Sequence, residues 1–504
     1  MEMNVDWMKR VAVVGLVLCV SVAWASLDAR AAGLDGGKKQ IADWIDANST
    51  KVIRLSDAVW SFAELGMQEH RSLKVITDYL RSEGFKVETG VAGMPTAFMA
   101  SWGTGKPGIG FVVEYDALPM INNKPVPKKE AFVEGAPGHG CGHNLIMGGG
   151  VSAAAALKAT MEKSKIAGSI FVYGTPAEET VDAKVFMLEA GIFKDADVLM
   201  MWHPNTMNRV DTGTNLAMFE TKFQFRGKTA HGARPHTGRS ALDAVELMNV
   251  GVNFMREHIP MESRIHYVIT KGGVQPNVVP DFAESWFYIR NPKIEEAERI
   301  YNWMIDIAKG AALMTQTTMS YETGGYNYNK LTNVAGARVM YENLKLIGVP
   351  SFTPEEVAFA KALQKEAKAK EAGIDTTIGP FVEKGDLAYS SSDIGAASWA
   401  TPLIQLGLAS RVEGAPGHTW GDVAIGGMSI GHKFMVNAAK IMAVTGFDIL
   451  TKPEELKKMK SEFAEQTKDF QKKKFAENLK PRVDQYKTEA ANWDKLLQPY
   501  YKNP

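Results

Sequence analysis

A short glycine-rich loop contains residues whose types are suited to binding a metal ion. The loop GHGCGHN spans residues 138–144, and its glycines permit a tight backbone that can direct Cys141 and His143 to one point. Thiolate and imidazole groups are common ligands of zinc and of neighbouring transition metals. Taken alone, the loop also fits a glycine turn around a buried cysteine, so the interpretation depends on further donors.

Two adjacent carboxylates, Glu178 and Glu179, follow the apolar segment 169–174. Neighbouring carboxylates repel each other unless a cation lies close by. One of them can bind a metal ion, which polarises a carbonyl and acidifies water, while the other accepts the proton of that water. This arrangement is typical of metal-assisted hydrolysis. The alternative is the solvated first turn of a helix, where the helix dipole favours Glu.

Two further histidines lie at the ends of apolar segments or in glycine-rich loops. His203 follows the segment 198–202, and His418 lies in the loop GAPGHTW, residues 414–420. Either histidine alone fits a surface or capping role better than a role as a metal ligand. One or two divalent ions would explain the combined set of donors, which is Cys141, His143, Glu179, His203 and His418.

The segments that carry these residues predict an α/β fold. Apolar strands are expected at 108–113, 169–174, 198–202 and 402–408, and helical patterns lie between them. This alternation is typical of a mostly parallel sheet flanked by helices. The polar residues come just after the strands, at the edge where open α/β sheets place their sites.

The pattern changes between residues 217 and 327, where the predicted order is strand–helix–strand–strand–helix–strand. This order is typical of a ferredoxin-like α+β unit. We therefore predict a discontinuous catalytic domain, 32–216 and 328–450, with an inserted lid or dimerisation domain, 217–327. The charged extension 451–504 mixes Lys and Glu, which favours a solvated face, or a segment lying on the body, over a basic partner-binding arm.

The amino terminus has the features of a secretory signal peptide, predicted over residues 1–31. Lys9 and Arg10 precede the apolar run 11–25, and small residues follow in A-x-A patterns. The run is shorter than the ~20 residues that a membrane-spanning helix needs, so an uncleaved anchor is the less favoured alternative. We expect a periplasmic or secreted protein with no membrane anchor after cleavage.

Composition excludes several other classes of protein. The chain has 504 residues, 45% of them hydrophobic and 23% charged, which is ordinary for a globular protein of several domains. Lys+Arg and Asp+Glu both total 57, so the charge balance gives no support for a nucleic-acid partner. The two cysteines, Cys19 and Cys141, provide no disulfide framework.

The order of the motifs resembles the metal-dependent amidohydrolases of the M20 peptidase family, in particular a branch with a cysteine in the metal loop. The strings are EYDALP, GHGCGHN, PAEE, WHP, GKTAHGARPHTGRSALDAV, GGVQPNVVPD, SSSDIGAASWATP and GAPGHTW, and they lie between about residues 42 and 451. The resemblance implies an α/β catalytic domain with an inserted lid and one or two divalent metal ions, Zn²⁺ or Mn²⁺.

The resemblance also implies roles for individual residues. Glu178 matches the general base, and Asp116 matches an aspartate that we expect to orient a ligand such as His143. His231 matches a lid histidine that stabilises the oxyanion and can come from a dimer partner. The residues that match the metal ligands of the family are Cys141, His143, Glu179, His203 and His418.

One position departs from the wider family. Glu114 stands where other branches have a metal-binding histidine, and Cys141 supplies a donor instead. Thiolate favours zinc, whereas relatives in this branch are often manganese enzymes. The identity and number of the ions therefore stay open at this point.

The resemblance implies hydrolysis of an amide between an acyl group and an amino acid, either p-aminobenzoyl-glutamate-like or another N-acyl amino acid. Asn277 and Arg290 are candidates for holding a substrate carboxylate. A homodimer, or a heterodimer with a related subunit, is expected. Two alternatives are an exported binding protein that keeps the pocket without catalysis, and a hydrolase with Cys141 as nucleophile and His143 as base.

Overall fold

The computed structural model describes most of the chain beyond the amino terminus. The predicted signal peptide, 1–31, lies outside the described residues, so its cleavage stays a prediction. The described residues are 34, 36–180, 183–414, 417–470, 475 and 479–504.

The strands of the described residues form a seven-stranded sheet, a four-stranded sheet and one two-stranded pair. In chain order they are β1 (Lys86–Thr89), β2 (Phe98–Thr104), β3 (Gly108–Val113), β4 (Gly168–Gly174), β5 (Val198–Pro204), β6 (Arg209–Asp211), β7 (Thr214–Asn215), β8 (Ala217–Arg226), β9 (Arg264–Lys271), β10 (Phe282–Asn291), β11 (Thr318–Asn327), β12 (Leu387–Ala388) and β13 (Leu403–Leu408).

The α-helices of the same part of the chain connect and cover these strands. They are α1 (Gly36–Phe62), α2 (His70–Ser82), α3 (His143–Ser164), α4 (Ala183–Glu189), α5 (Ala241–Met255), α6 (Ile294–Thr315), α7 (Val334–Ile347), α8 (Pro354–Glu366), α9 (Ile394–Ser398), α10 (Trp420–Gly426), α11 (Ser429–Thr451), α12 (Pro453–Thr467) and α13 (Lys487–Leu497).

The seven-stranded sheet has the order β1-β2-β4-β3-β5-β13-β6. Its four central strands, β4, β3, β5 and β13, are parallel, and the flanking strands pair antiparallel. Every residue of β3 and β4 is buried, as expected for parallel strands that are covered on both faces. The predicted mixed α/β fold class is confirmed.

Helix α3 lies directly against this sheet because its middle section is made of short residues. Residues 148–156, GGGVSAAAA, are all buried. A Cβ atom at Gly149 would lie 2.3 Å from Nε1 of Trp202, and one at Gly150 would lie 2.3 Å from Cγ1 of Val113. This close approach places the amino-terminal end of α3 beside the carboxyl ends of β3 and β5.

The four-stranded sheet has the order β11-β8-β10-β9, and all of its pairs are antiparallel. Helices α5 and α6 pack on each other and against strands of this sheet. These elements all lie within the segment 217–327, for which an inserted lid is expected. The assignment of separate domains to 32–216 with 328–450 and to 217–327 stays a prediction.

The charged extension lies on the rest of the chain. Met459 of α12 and Leu497 of α13 are buried, although most of their neighbours are exposed. Of the described helices, α11 is long and apolar enough to cross a membrane, but 72% of its most apolar window is buried inside the fold. Helix α11 therefore serves as a core helix of the structure.

Candidate metal centre

The candidate site lies at the carboxyl edge of the parallel strands. Glu114 and Asp116 follow β3, Glu178 and Glu179 follow β4, and His203 is the penultimate residue of β5. The parallel arrangement of these strands brings all three groups to the same edge of the sheet.

Two loops complete the site from outside the sheet. Gly142 adopts φ 75°, a left-handed conformation that glycine accommodates readily, and it caps the helix that begins at His143. This turn places Cys141 directly before the helix. The loop after β13 carries Arg411 and His418, and His418 itself has φ 60°.

The backbone is strained where the paired carboxylates are presented. Ala177 is buried and has φ 54°, which costs a non-glycine residue about 1–2 kcal/mol. Its N–H donates a 2.9 Å hydrogen bond to the buried carboxylate of Glu69. Backbone strain of this kind is concentrated at functional sites. Here the strained turn immediately precedes Glu178 and Glu179.

The side chains that were predicted as metal ligands lie close together. Cys141 Sγ is 3.4 Å from His203 Nε2, and Glu179 Oε1 is 3.8 Å from His143 Nε2 and 3.6 Å from His418 Nε2. Donor atoms lie within 4.8 Å of one another in each of four groups. These are Cys141–His143–His203, Cys141–Glu179–His418, His143–Glu178–Glu179 and Glu114–Glu178–Asp393.

The arrangement fits divalent metal binding. Nε2 of His143, Oε1 of Glu179 and Oε2 of Glu114 are buried and have no hydrogen-bond partner among the described residues. Each such atom costs about 1–3 kcal/mol when it stays unsatisfied. A divalent cation would satisfy His143 and Glu179, which share a donor group, and the mixture of thiolate, imidazole and carboxylate suits transition metals.

Asp116 positions two of the donor residues. Its Oδ1 atom accepts a 2.8 Å hydrogen bond from Nδ1 of His143, and its Oδ2 atom accepts one of 3.0 Å from the N–H of Glu179. The His143 ring therefore presents Nε2 to the centre of the site. The predicted orienting contact between Asp116 and His143 is present.

The electrostatics of the site favour a thiolate. Burial alone would raise the pKa of Cys141, but the charges of His203 and His143 hold the pKa well below its usual value. Arg411 adds a guanidinium nitrogen 3.2 Å from Sγ. Burial, together with the negative charge of Cys141, raises the pKa of Glu179 to about 11. A bound cation would favour release of that proton.

Three buried charged residues beside the donors form a network that sequence reasoning did not assign. Lys184 Nζ lies 2.6 Å from Oε1 of Glu114 and 2.5 Å from Oδ1 of Asp393. The backbone N–H of Lys184 also donates to Asp393 Oδ2, at 3.0 Å. Glu114 and Asp393 belong to the EYDALP and SSSDIG motifs, which offered a signal, whereas Lys184 lies in an ordinary helical segment.

The structure keeps the predicted lid residues apart from the metal donors. His231 and Asn277 are exposed neighbours, since the N–H of Gly232 donates to the carbonyl of Asn277 at 2.7 Å. Arg290 lies on β10, with its guanidinium 5.6 Å from the ring centre of Tyr288. Among the described residues, none of these three lid side chains lines the cavity at the metal donors. Their roles stay predictions.

A cavity of about 470 Å³ opens at the candidate site. Its volume is within the range of small-molecule sites. Its walls include Cys141, Glu178, Glu179, His203 and His418. Paired carboxylates, a thiolate and imidazoles at this edge of a parallel sheet, open to such a cavity, define a metal-dependent hydrolase.

The comparison with known sequences gives the family. The model of peptidase family M20/M25/M40 matches residues 110–446, and the chain belongs to this family. It is a hydrolase of the amidohydrolase type.

Individual relatives agree with this assignment. The chain is 36% identical to one of the subunits of p-aminobenzoyl-glutamate hydrolase from Escherichia coli (strain K12), over 80% of this chain and 90% of that protein. It is 30% identical to the Xaa-Arg dipeptidase of Mus musculus over 86% of this chain and 93% of that protein. A solved M20 structure, the dinuclear metal-binding peptidase YXEP of Bacillus subtilis, shares the fold with a TM-score of 0.52 and 17% identity, over 79% of this chain and 99% of that one.

Proposed function

We propose that this protein is an exported, metal-dependent amidohydrolase that cleaves the amide bond between an acyl group and an amino acid. The proposed substrates are p-aminobenzoyl-glutamate or related N-acyl amino acids. The E. coli relative at 36% identity, whose name gives the first of these substrates, supports this choice. The second alternative, Cys141 as a nucleophile, has less support because its sulfur belongs to two groups of donor atoms that suit a metal ion.

The different environments of the two adjacent carboxylates carry the proposal. Glu178 accepts a hydrogen bond from Ser392, and its Oε2 atom lies 4.0 Å from Nε2 of His143. Glu179 faces His143 and His418 and shares a donor group with Cys141 and His418, whereas the second donor group of Glu178 contains only carboxylates. Glu178 is therefore assigned as the proton acceptor and Glu179 as a metal ligand.

The proposed chemistry moves one proton through Glu178. A bound metal ion supplies polarisation of the substrate carbonyl and acidification of water. Glu178 takes the proton from the attacking water and returns it to the leaving nitrogen. Burial and the charge of Glu114 raise the pKa of Glu178, which favours this exchange nearer to neutral pH. His231, supplied by the lid or by a dimer partner, is proposed to stabilise the oxyanion.

We also propose a dimer formed through the lid. Strand β9 is an edge strand of the four-stranded sheet and exposes Val268 and Ile269. Leu313 and Met314 of α6 are also exposed. The partner is a second copy or a related subunit, and the E. coli relative is itself named as one subunit of its hydrolase. Light scattering of the purified protein separates the two cases, because a dimer mass supports a second copy and a monomer mass favours a related subunit.

Export and metal identity are further parts of the proposal. The basic and apolar pattern of residues 1–31 supports removal of a signal peptide and a periplasmic or secreted location. Sequencing the amino terminus of the protein recovered outside the cytoplasm tests this directly. The cysteine-containing donor set supports Zn²⁺, with Mn²⁺ as the alternative, and one or two ions per site.

The decisive experiment measures release of p-aminobenzoate from p-aminobenzoyl-glutamate by the purified protein. The reaction is followed before and after chelation, and then after Zn²⁺ or Mn²⁺ is restored. Release that is lost with chelator and regained with metal supports the proposal. Release that resists chelator but is lost on thiol alkylation would favour a Cys141 nucleophile. Saturable binding with no product from any acyl amino acid would favour a non-catalytic binding protein.

A further inference from the structure

The cavity continues past the metal donors along β6 and the loop that carries Ser391. In this region its wall is polar, and Arg209, Asp211 and Lys330 are its charged residues with restricted exposure. Asp386 also lines the cavity, but it is an exposed residue. We call this part of the cavity, lined by Arg209, Asp211, Lys330 and Ser391, the polar end. It is separate from the metal donors and has no role in the proton transfer proposed for Glu178.

Two of the three charges at the polar end neutralise each other. Lys330 is buried, and its Nζ atom lies 2.6 Å from Oδ2 of Asp211 and 2.8 Å from Oε1 of Gln405. This pair is locally satisfied. It leaves Arg209 as an additional positive charge on the same wall.

Arg209 has unused hydrogen-bonding capacity. Among the described residues it makes no ion pair, and its Nε atom is buried with no hydrogen-bond partner. The Oγ atom of Ser391 is likewise buried and without a partner, and it lines the same cavity. Buried donors of this kind destabilise the structure unless a ligand satisfies them. A guanidinium and a hydroxyl that open to one cavity are both donors suited to a carboxylate.

The strand register fixes how far this end lies from the metal donors. Gly407 of β13 pairs with His203 of β5 on one side and with Arg209 of β6 on the other. The backbones of His203 and Arg209 are therefore about 10 Å apart, which is two strand spacings. Gly407 lies between them and also lines the cavity.

We infer that Arg209 and Ser391 bind the side-chain carboxylate of an acidic amino acid in the substrate. The α-carboxylate is one carbon from the scissile nitrogen and must lie close to the metal donors, whereas the γ-carboxylate of a glutamyl group extends farther. The inference rests on the proposed function and narrows its class of substrates. It names N-acyl derivatives of glutamate, rather than of neutral amino acids, as the preferred class of substrate.

The test compares p-aminobenzoyl-glutamate with p-aminobenzoyl-glutamine, which has nearly the same shape and lacks the side-chain charge. The wild type is expected to prefer the glutamate substrate in kcat/KM by about tenfold or more. Arg209→Gln is expected to remove most of this preference, and Arg209→Lys is expected to restore part of it. Arg54→Gln removes an equal charge from a position on α1 outside the cavity and is expected to keep the wild-type ratio.

Equal loss of kcat/KM for both substrates in Arg209→Gln, with an unchanged ratio, would overturn the inference. Calorimetric binding of N-acetyl-glutamate and N-acetyl-glutamine gives a readout that needs no turnover. Preference for the glutamate ligand that depends on Arg209, without hydrolysis of any amide, would contradict the proposed function and support the subsite. Hydrolysis of both amides at equal rates by the wild type would support the proposed function and contradict the subsite.

Discussion

The Ser392 hydroxyl donates a hydrogen bond to Glu178, with 2.6 Å between Oγ and Oε1. The adjacent carboxylate is different, because Oε1 of Glu179 is buried without a hydrogen-bond partner among the described residues and faces His143 and His418. Two residues that are neighbours in sequence are therefore held in different ways. The structural difference implies different consequences of removing each charge.

We expect Glu178→Gln to abolish turnover while the metal content stays at the wild-type level. General-base catalysis contributes about 10²–10⁴-fold, so the residual rate should fall by at least that range. Glu179→Gln is expected to lower the metal content and the rate together, because it removes a ligand. Metal analysis of each purified variant beside p-aminobenzoate release provides the measurement. The opposite pattern would mean that the two roles are exchanged.

The second prediction concerns Asp116, which orients His143 and also accepts the N–H of Glu179. Asp116→Asn removes the negative charge and replaces one of the two accepting carboxylate oxygens by an NH₂ group, which donates. We expect metal affinity to fall by about 10–100-fold, as for other residues that support a metal ligand. Titration of metal into the chelator-treated protein measures this affinity.

A matched control for Asp116→Asn is available elsewhere in the fold. Asp57 and His432 form another carboxylate–histidine pair, with 3.1 Å between Oδ1 and Nε2, outside the metal donor groups. Asp57→Asn is expected to leave metal affinity unchanged. Similar losses in both variants would indicate general destabilisation rather than a contribution of Asp116 to the metal centre.

Much of the donor set could be predicted because parallel strands impose simple geometry. Each strand is a recognisable apolar run, and polar residues that follow such runs meet at one edge of the sheet. Glu178, Glu179 and His203 satisfy this condition directly. The glycines around Cys141 and His143 then indicate a loop that can bring a thiol and an imidazole together.

The remaining part of the site depends on contacts that local patterns do not contain. Lys184 meets Asp393 across 209 positions of sequence, and its own segment resembles any helix that packs on a sheet. The position of Arg209 in the polar end of the cavity depends on the pairing of β6 with β13. Strand β6 has only three residues, which is too short for a hydrophobic pattern to predict it. The apolar and polar residues of β1 and β2 likewise do not alternate regularly enough to predict these strands from the sequence.

The third prediction concerns the buried ionic network. Lys184 is fully buried between Glu114 and Asp393, so Lys184→Met leaves two carboxylates without their shared counter-charge. Breaking a buried ionic contact in this way is expected to destabilise the metal-free protein by about 3–5 kcal/mol. The shift of the urea midpoint measures the loss. Lys309→Met removes a lysine from an exposed pair with Asp306 and should change stability by less than about 0.5 kcal/mol.

The last prediction concerns the charged extension, which packs against the segment that follows Asp116. The buried side chain of Leu497 packs with Ala63, Ala117 and Ala136, and Ala117 directly follows Asp116 in the chain. Leu497→Ala is expected to destabilise the protein by about 2–4 kcal/mol through loss of apolar burial and a residual cavity. The neighbouring Leu496 is 52% exposed, so Leu496→Ala should cost less than about 0.5 kcal/mol. Equal urea midpoints for the two variants would contradict the packing of this helix on the body. If one face of the helix is buried, truncation of the buried leucine must cost more stability than truncation of its exposed neighbour.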